Sequence, residues 1–502
     1  MTTEKVNTKP IVIGLLLAIL LASMDNTIVA TAMGTIVSEF GDFSKFIWVT
    51  SAYMIASVAG MPIFGKLSDM YGRKMFFISG LVIFLIGSIL CGMSQSMVQL
   101  SLFRAIQGIG GGALMPITFT IIFDTFSPEK RGQMTALFGA TFGISSILGP
   151  LLGSYLTDFI DWRWIFYVNV PLGLVSLFLV WRYYFESLEH REQKIDWFGA
   201  IFLVTSVVSL MFALEFGGKE FAWTSIQIVG LFLTFIIFLG LFLWVETKVS
   251  DPILTLSLFK NQLFAASQGV TFFYGTILIV VTMFIPIFIQ AVYGGSATNA
   301  GLILTPMMLG SVVGSQVGGQ LVGKFSYRTV MMISGALLLL GVSLLTTLTV
   351  DTLRILVTAY MVITGVGIGF SFPVLSMSSL HGLDMRQRGT ANSTNTFFRM
   401  IGMTLGITIY GAIQNNVLIN RLKEYIPNTD EFSGMGDTRA LLKPEVREQI
   451  PPIILEKMSA AFAESISSIF TWAMISVSLS LVFITIMGKN KLNYTSERKE
   501  VS

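Results

Sequence analysis

This chain of 502 residues has little of what a soluble enzyme works with. It holds one cysteine, Cys91, and two histidines, and only 12% of its residues are Asp, Glu, Lys or Arg. A single thiol excludes an intramolecular disulfide, and no Cys/His cluster with metal-ligand spacing can be assembled, so no metal site is expected. No G-x-x-x-x-G-K-[ST] phosphate loop occurs, which argues against a nucleotide-driven cycle. No Ser/His/Asp set stands in a soluble segment, and an enzyme is not expected. A net charge of +3 without a basic patch gives nucleic acid no footprint. What the chain does have is apolar residues, 53% of the total, with 41 Phe, 47 Gly and a mean hydropathy of +0.75. That is the composition of an integral membrane protein.

A bilayer core of about 30 Å needs roughly 20 apolar residues per helix. Fourteen such runs emerge, at 11–34, 46–65, 75–94, 98–122, 134–157, 164–184, 197–216, 224–245, 264–291, 299–323, 330–349, 354–378, 390–415 and 466–488. The first has no small-residue cleavage signal after it and reads as a retained helix. Lys and Arg concentrate in the short loops on the side of the N-terminus, which predicts that both termini are cytoplasmic. The long outer loop 416–465, with "NTDEFSGMGDT" and "EQIPPII", reads as a polar cap or loop.

An internal repeat organises these spans. "GIGGGALMP" (108–116) lies over "GVGIGFSFP" (365–373), so that Gly108, Gly110, Gly112 and Pro116 match Gly365, Gly367, Gly369 and Pro373. In the same register the Arg-Gly pair of "KRGQMTALFG" (130–139) meets that of "QRGTANSTNT" (387–396). The predicted organisation is an N-terminal six-helix half (1–184), a two-helix insertion with its flanking loops (185–263), and a C-terminal six-helix half (264–502) that includes the outer loop. Parallel repeats of this kind suit a transporter with a substrate site between the halves, near the midplane.

Several motifs stand on these spans. "GKLSDMYGRK" (65–74) follows span 2. Gly65 and Gly72 permit tight turns, Asp69 is placed to cap the next helix, and Arg73 and Lys74 follow it, a set that could latch one half against helix ends of the other. On the fifth helix Gly139, Gly143, Ser146, Pro150 and Gly153 share one narrow sector, a small-residue stripe with a proline at its centre, which suits either ordinary close packing or an interface that seals and reopens. "GKLSDMYGRK", "LFRAIQGIGGGA" (102–113), "GISSILGPLLGSYL" (143–156, which brings in Gly149), "MDNTIVATAM" and "WRWIFYVNVP" (162–171) together resemble the motifs of the major facilitator superfamily, in its branch of 14-helix drug:proton antiporters. The resemblance covers nearly the whole chain. It implies an all-α membrane fold of 6 + 2 + 6 transmembrane helices, proton-coupled multidrug efflux without a cofactor, and a monomer in a bacterial plasma membrane whose partners are protons, lipid and a hydrophobic small molecule.

Charges inside spans are functional-site hypotheses by default, since each costs at least about 2.5–3.5 kcal/mol unless paired or hydrated. Asp25 and Arg104 lie at similar depth, which leaves open a structural ion pair as well as a functional site. The resemblance assigns proton handling to Arg104, with Gln107 one turn on in support, and substrate or proton recognition to Asp25. Arg399 sits near the midplane of span 13, where no acid occupies any span of the second half. It could pair with Asp25 across a cavity or hold an anionic substrate or a lipid head group. Aromatic residues such as Tyr274 and Phe398 are candidate substrate contacts, although most aromatics in spans pack against lipid or one another. Glu215 is a possible secondary acid, better placed at the membrane interface. The expected function is proton-coupled export of hydrophobic drugs by alternating access; the alternative is export or flipping of an endogenous lipid or anionic metabolite.

Overall fold

A computed structural model describes residues 8–40, 46–186, 195–218, 220–294, 304–425 and 451–491. The first six long helices are α1 (Thr8–Phe40), α2 (Phe46–Tyr71), α3 (Arg73–Gly92), α4 (Met97–Thr125), α5 (Pro128–Phe159) and α6 (Trp164–Tyr183). Then come α7 (Trp197–Phe216), α8 (Ile226–Glu246), α9 (Gln262–Tyr293), α10 (Leu304–Leu321), α11 (Tyr327–Leu345), α12 (Arg354–Leu380), α13 (Arg388–Tyr425) and α14 (Pro452–Ile486). Among the described residues the sole β pairing is an isolated bridge between Gly217 and Phe221. Helices dominate because hydrocarbon offers backbone groups no partner, so each segment must satisfy its own. Several begin at a side-chain cap: Ser96 accepts the N–H of Gln99, Asp196 that of Gly199, Ser225 that of Ile228, and Ser326 that of Thr329.

Thirteen of these helices are long and apolar enough to cross a membrane. The remaining one, α10, has 18 described residues and is rich in Gly and Ser. Its low hydropathy has a packing cause. Gly310 and Gly314 let the backbone of α12 approach at Val362 and Val366, and Ser315 lies against Gly139 of α5, so α10 is covered by helices on two sides.

Helices α1 to α6 share buried clusters of their own, and α9 to α14 build a larger one around Val270, Phe284, Val330 and Ile368. Between these groups α5 packs on α10 and α2 on α13. Close approach within the first group depends on glycine. A Cβ on Gly110 would stand 2.4 Å from both the carbonyl oxygen of Gly80 and the amide nitrogen of Phe84. Gly110→Ala must therefore force α3 and α4 apart, at a cost of about 1–3 kcal/mol. The expected outcome is a lowered thermal midpoint of the detergent-solubilised protein, measured against wild type.

The pair α7–α8 does not stand apart. Ala200, Leu203, Val207 and Met211 of α7 pack on Ile55, Val58 and Ala59 of α2, with Phe397, Met400 and Ile401 of α13 at the edge. The insertion thus covers the line where α2 meets α13. Helix α8 lies outside α7, largely exposed, and its last residue Glu246 accepts the backbone N–H groups of Ile253 (3.1 Å) and Leu254 (3.3 Å), folding the following linker back.

Helices α13 and α14 overrun the expected spans, extending to Tyr425 and beginning at Pro452. Their protruding ends are polar and paired: Arg421 meets Glu464 at 2.8 Å and Tyr425 donates to Glu464 at 2.6 Å. Hydropathy stops where apolar residues stop, whereas a helix continues as long as its neighbour supports it. The expectation of a cap over 416–465 falls in part on residues 426–450, outside the described residues.

Candidate functional site

Two polar constellations are built into the apolar framework. The first lies inside the first group of helices. Asp25 of α1, Arg104 and Gln107 of α4, Ser88 of α3 and Asn169 of α6 are all completely buried. Arg104 sits seven residues into α4, about 10 Å from its start. One Asp25 oxygen pairs with Arg104 Nη1, and the other accepts from Gln107 Nε2 at 2.7 Å and from Asn169 Nδ2 at 3.5 Å. Gln107 Oε1 in turn accepts from Arg104 Nη1 at 2.7 Å, and Arg104 Nε donates to the Val49 carbonyl at 3.1 Å. Ser88 Oγ accepts from Gln107 (3.0 Å) and Asn169 (2.8 Å) while donating to the Phe166 carbonyl (3.1 Å). Beneath the guanidinium lies the Tyr53 ring, 4.3 Å from the arginine carbon, which adds cation–π attraction.

Of the open possibilities for Asp25, the structure therefore selects Arg104 as its partner. Five helices converge on one carboxylate, and its charge is balanced locally. Ser88, Asn169 and Tyr53 are the members that sequence reading passed over. A polar residue within "YVNVP" was the available signal for Asn169; Ser88 and Tyr53 gave none, because Ser and Tyr are common in spans.

The second constellation joins the two helix groups at the end of the molecule where α1 begins and α14 ends. Asp69 does not cap α3, as its position suggested, because it still lies inside α2. It caps α13 instead: its oxygens accept from Gly389 N (2.8 Å), Thr390 N (2.6 Å) and Thr390 Oγ1 (2.9 Å). A carboxylate at a helix N-terminus meets free N–H groups and the positive end of the helix dipole. Arg73, fully buried, stands 3.5 Å from Asp69 and pairs with Asp124 at the end of α4. It also donates to the Met385 carbonyl. Asp124 further binds Arg388 at 3.1 Å. Gly65 makes room for this contact, since a Cβ there would fall 2.4 Å from Ser393 Cβ.

Gly72 supports the latch differently. Its φ of +103° turns the chain between α2 and α3 in a region that favours glycine. Lys74 does not enter the latch. Its backbone N–H is accepted by Glu186 at 2.8 Å and its ammonium lies 5.4 Å from the Phe185 ring centre. Asp124 and Arg388 were missed, though the Arg-Gly pair in the repeat pointed at the second. Deeper along α13, Asn392 Nδ2 donates to the Pro116 carbonyl of α4 at 2.8 Å, a further bond between the groups.

The α5 stripe is divided rather than continuous in its partners. Gly139 lies against Ser315 and Gly143 against Val312 and Met308, all on α10. Gly149 meets Thr27, and Gly153 meets Thr31 and Ile28, all on α1. Pro150 falls inside the helix within the second of these regions, between Gly149 and Gly153, and the backbone of Ser146 continues the helix between the two. One narrow stripe therefore serves two neighbours, because packing helices cross at an angle and each covers only part of a 32-residue helix.

The proposed aromatic contacts fare differently. Tyr274 is turned away from the junction, 1% exposed, with its hydroxyl 2.8 Å from Ser334 in α11. It is a core residue, so the expectation of a substrate contact is corrected. Phe398 leans on Phe259 and Phe397, with ring centres about 6 Å apart. Glu215 is half-buried at the end of α7, beside Phe216, whose ring packs 4.9 Å from Trp48. Arg399 is half-buried on α13, its guanidinium carbon 4.7 Å from the centre of the Phe372 ring.

The sequence profile of the Major Facilitator Superfamily matches residues 15–407. This chain belongs to the Major Facilitator Superfamily. Multidrug resistance protein 3 of Bacillus subtilis (strain 168) is 55% identical over 508 residues, covering 99% of this chain and 98% of that protein. The multidrug transporter protein MdtP of the same organism is 36% identical, covering 96% of this chain and 93% of its own length. Among solved structures, the human organic anion transporter MFSD10 (TETRAN) matches with a TM-score of 0.59 at 14% identity, over 95% of this chain and all of that one. A bacterial homologue of the lysosomal transporter Spinster, inward-facing and occupied, gives 0.56 at 18% identity, over 95% of this chain and 96% of its own. These establish the superfamily fold for the fourteen helices. The protein is a multi-pass membrane transporter of this superfamily and not an enzyme.

Proposed function

We propose that this superfamily member is a drug:proton antiporter, which exports hydrophobic small molecules from the bacterial cytoplasm with the proton gradient as its energy source and without a cofactor. The observation that carries this reading is the buried carboxylate of Asp25, held by Arg104, Gln107 and Asn169. Such a group changes the charge of its surroundings with one proton, and a transport cycle needs a site of that kind. Two relatives that align over nearly the whole chain are named for multidrug resistance and multidrug transport.

Two six-helix halves, 1–184 and 264–502, would rock about the α5–α10 and α2–α13 contacts, with 185–263 riding on one side. With both termini in the cytoplasm, the Asp69 latch lies at the inner mouth, and its closure corresponds to an outward-directed state. Protonation of Asp25 from outside weakens its hold on Arg104. Helix α1, which carries Asp25, also carries Thr27 and Thr31, packed on Gly149 and Gly153 of α5. The same α5 meets α10 at Gly139 and Gly143, so a shift of α1 has a direct mechanical route to the contact between halves. A monomer contains all of these parts.

The test is efflux of a fluorescent lipophilic dye from cells or its uptake into everted vesicles. Transport is expected to start with an imposed proton gradient and to stop when a protonophore collapses it. Undiminished transport without a gradient would refute proton coupling.

A further inference from the structure

Arg399 is a cation near the midplane of a spanning helix, and the sequence supplies it with no local counter-charge. Helices α9 to α12 contain no Asp or Glu, and in α13 the sole acid, Glu424, lies at the opposite end from the latch. Among the described residues no carboxylate comes within ion-pair distance of Arg399, and its side chain makes no hydrogen bond with them. Its contact is the face of Phe372. A bare guanidinium at this depth is costly unless it faces water or receives an anion.

Its direction follows from the helix. Arg399 is seven residues beyond Asn392, two turns along the same face of α13 and about 10 Å further from the latch. Asn392 reaches the Pro116 carbonyl in the first half. Phe372 in turn lies next to Gly139 of α5, 3.9 Å from where a Cβ there would stand. Guanidinium and ring are therefore placed where the halves face each other. The membrane carboxylate of the first half is unavailable to it, since Asp25 is fully buried and already paired with Arg104.

We propose that Arg399, backed by Phe372, is the anchor for the carboxylate of a substrate, so that this transporter takes carboxylate-bearing drugs, zwitterions included, in preference to their esters. The inference rests on the exporter reading above and adds the charge of the substrate to it. Guanidinium and carboxylate match in a two-bond fork, and the Phe372 ring backs the guanidinium.

The experiment uses the full-length protein with tetramethylrhodamine, which has a free carboxylate, and its methyl ester. Binding is followed by fluorescence anisotropy on detergent-solubilised protein, and transport in energised proteoliposomes. Arg399→Gln is expected to weaken binding of the free acid about tenfold or more while leaving the ester within about twofold. Arg399→Lys should restore part of the loss, which a merely structural arginine would not do selectively for the acid. Equal weakening for both dyes, or none for either, overturns the proposal. So does wild type that binds the ester but not the acid, a result that leaves the exporter reading standing. If neither dye is transported although the acid binds through Arg399, the exporter reading fails and the subsite survives.

Discussion

Asp25→Asn is expected to abolish gradient-driven efflux while the protein still reaches the membrane. The amide matches the carboxylate in size and retains an oxygen for Gln107 or Asn169, but it cannot cycle a proton or balance Arg104. Removing one partner of a buried ion pair costs about 3–5 kcal/mol, because the other charge is left uncompensated. An interaction of about 3 kcal/mol that transport makes and breaks corresponds to a factor of about 100 in rate. Initial efflux rates should thus fall by about two orders of magnitude, to the level seen with a collapsed gradient. The double variant Asp25→Asn/Arg104→Gln separates stability from coupling. It should be more stable to heat than Asp25→Asn alone, because no unpaired charge is buried, and equally inactive. Efflux restored in the double variant would mean that the pair is structural and the proton travels elsewhere.

Asp69→Asn should have the second largest effect, on which way the transporter faces. The native carboxylate receives two backbone N–H bonds and one hydroxyl bond from the start of α13 and attracts Arg73 as well. Hydrogen bonds to a charged group contribute about 1.5–3 kcal/mol each, so losing the charge shifts the latch equilibrium by about tenfold to a hundredfold. Ser393 is buried beneath Gly65 and reports on this closure. A Ser393→Cys reporter should be slow to react with a maleimide in the otherwise native protein and at least tenfold faster with Asp69→Asn added. Native Cys91, buried beside Gln107, serves as the unreactive control. Equal labelling rates in the two backgrounds would show that Asp69 does not hold the latch closed.

The candidate residues differ in how far their sequence context revealed them. Asp25 and Arg104 were visible because a charge in an apolar run is improbable without a purpose, and span direction set both at similar depth. Their partners Ser88 and Tyr53 were not, since nothing local distinguishes a serine that completes a network from one that bonds its own helix. Asp69 was singled out for the wrong helix end. Local reasoning looks for a cap one turn away, whereas the vacant N–H groups that Asp69 fills belong to α13, more than 300 residues along the chain. Tyr274 was misplaced for a similar reason, as periodicity shows that a residue lies in a helix and not which face meets a cavity.

Sequence alone determined that this is a helical membrane protein, about where its long apolar helices run, that its motifs repeat along the chain, and which charges lie within apolar runs. These are properties of local composition and of spacing along one helix, and lipid enforces them strongly because it tolerates neither open backbone nor idle charge. Only the tertiary structure decided that Asp25 pairs with Arg104 and not Arg399, that the α5 stripe divides between α10 and α1, that α7 covers the α2–α13 line, and that Arg399 lies against the ring of Phe372. Each of these depends on which helix faces come together in three dimensions. In an all-helical membrane protein nearly every face is apolar, so the pattern along the chain does not distinguish lipid from a neighbouring helix.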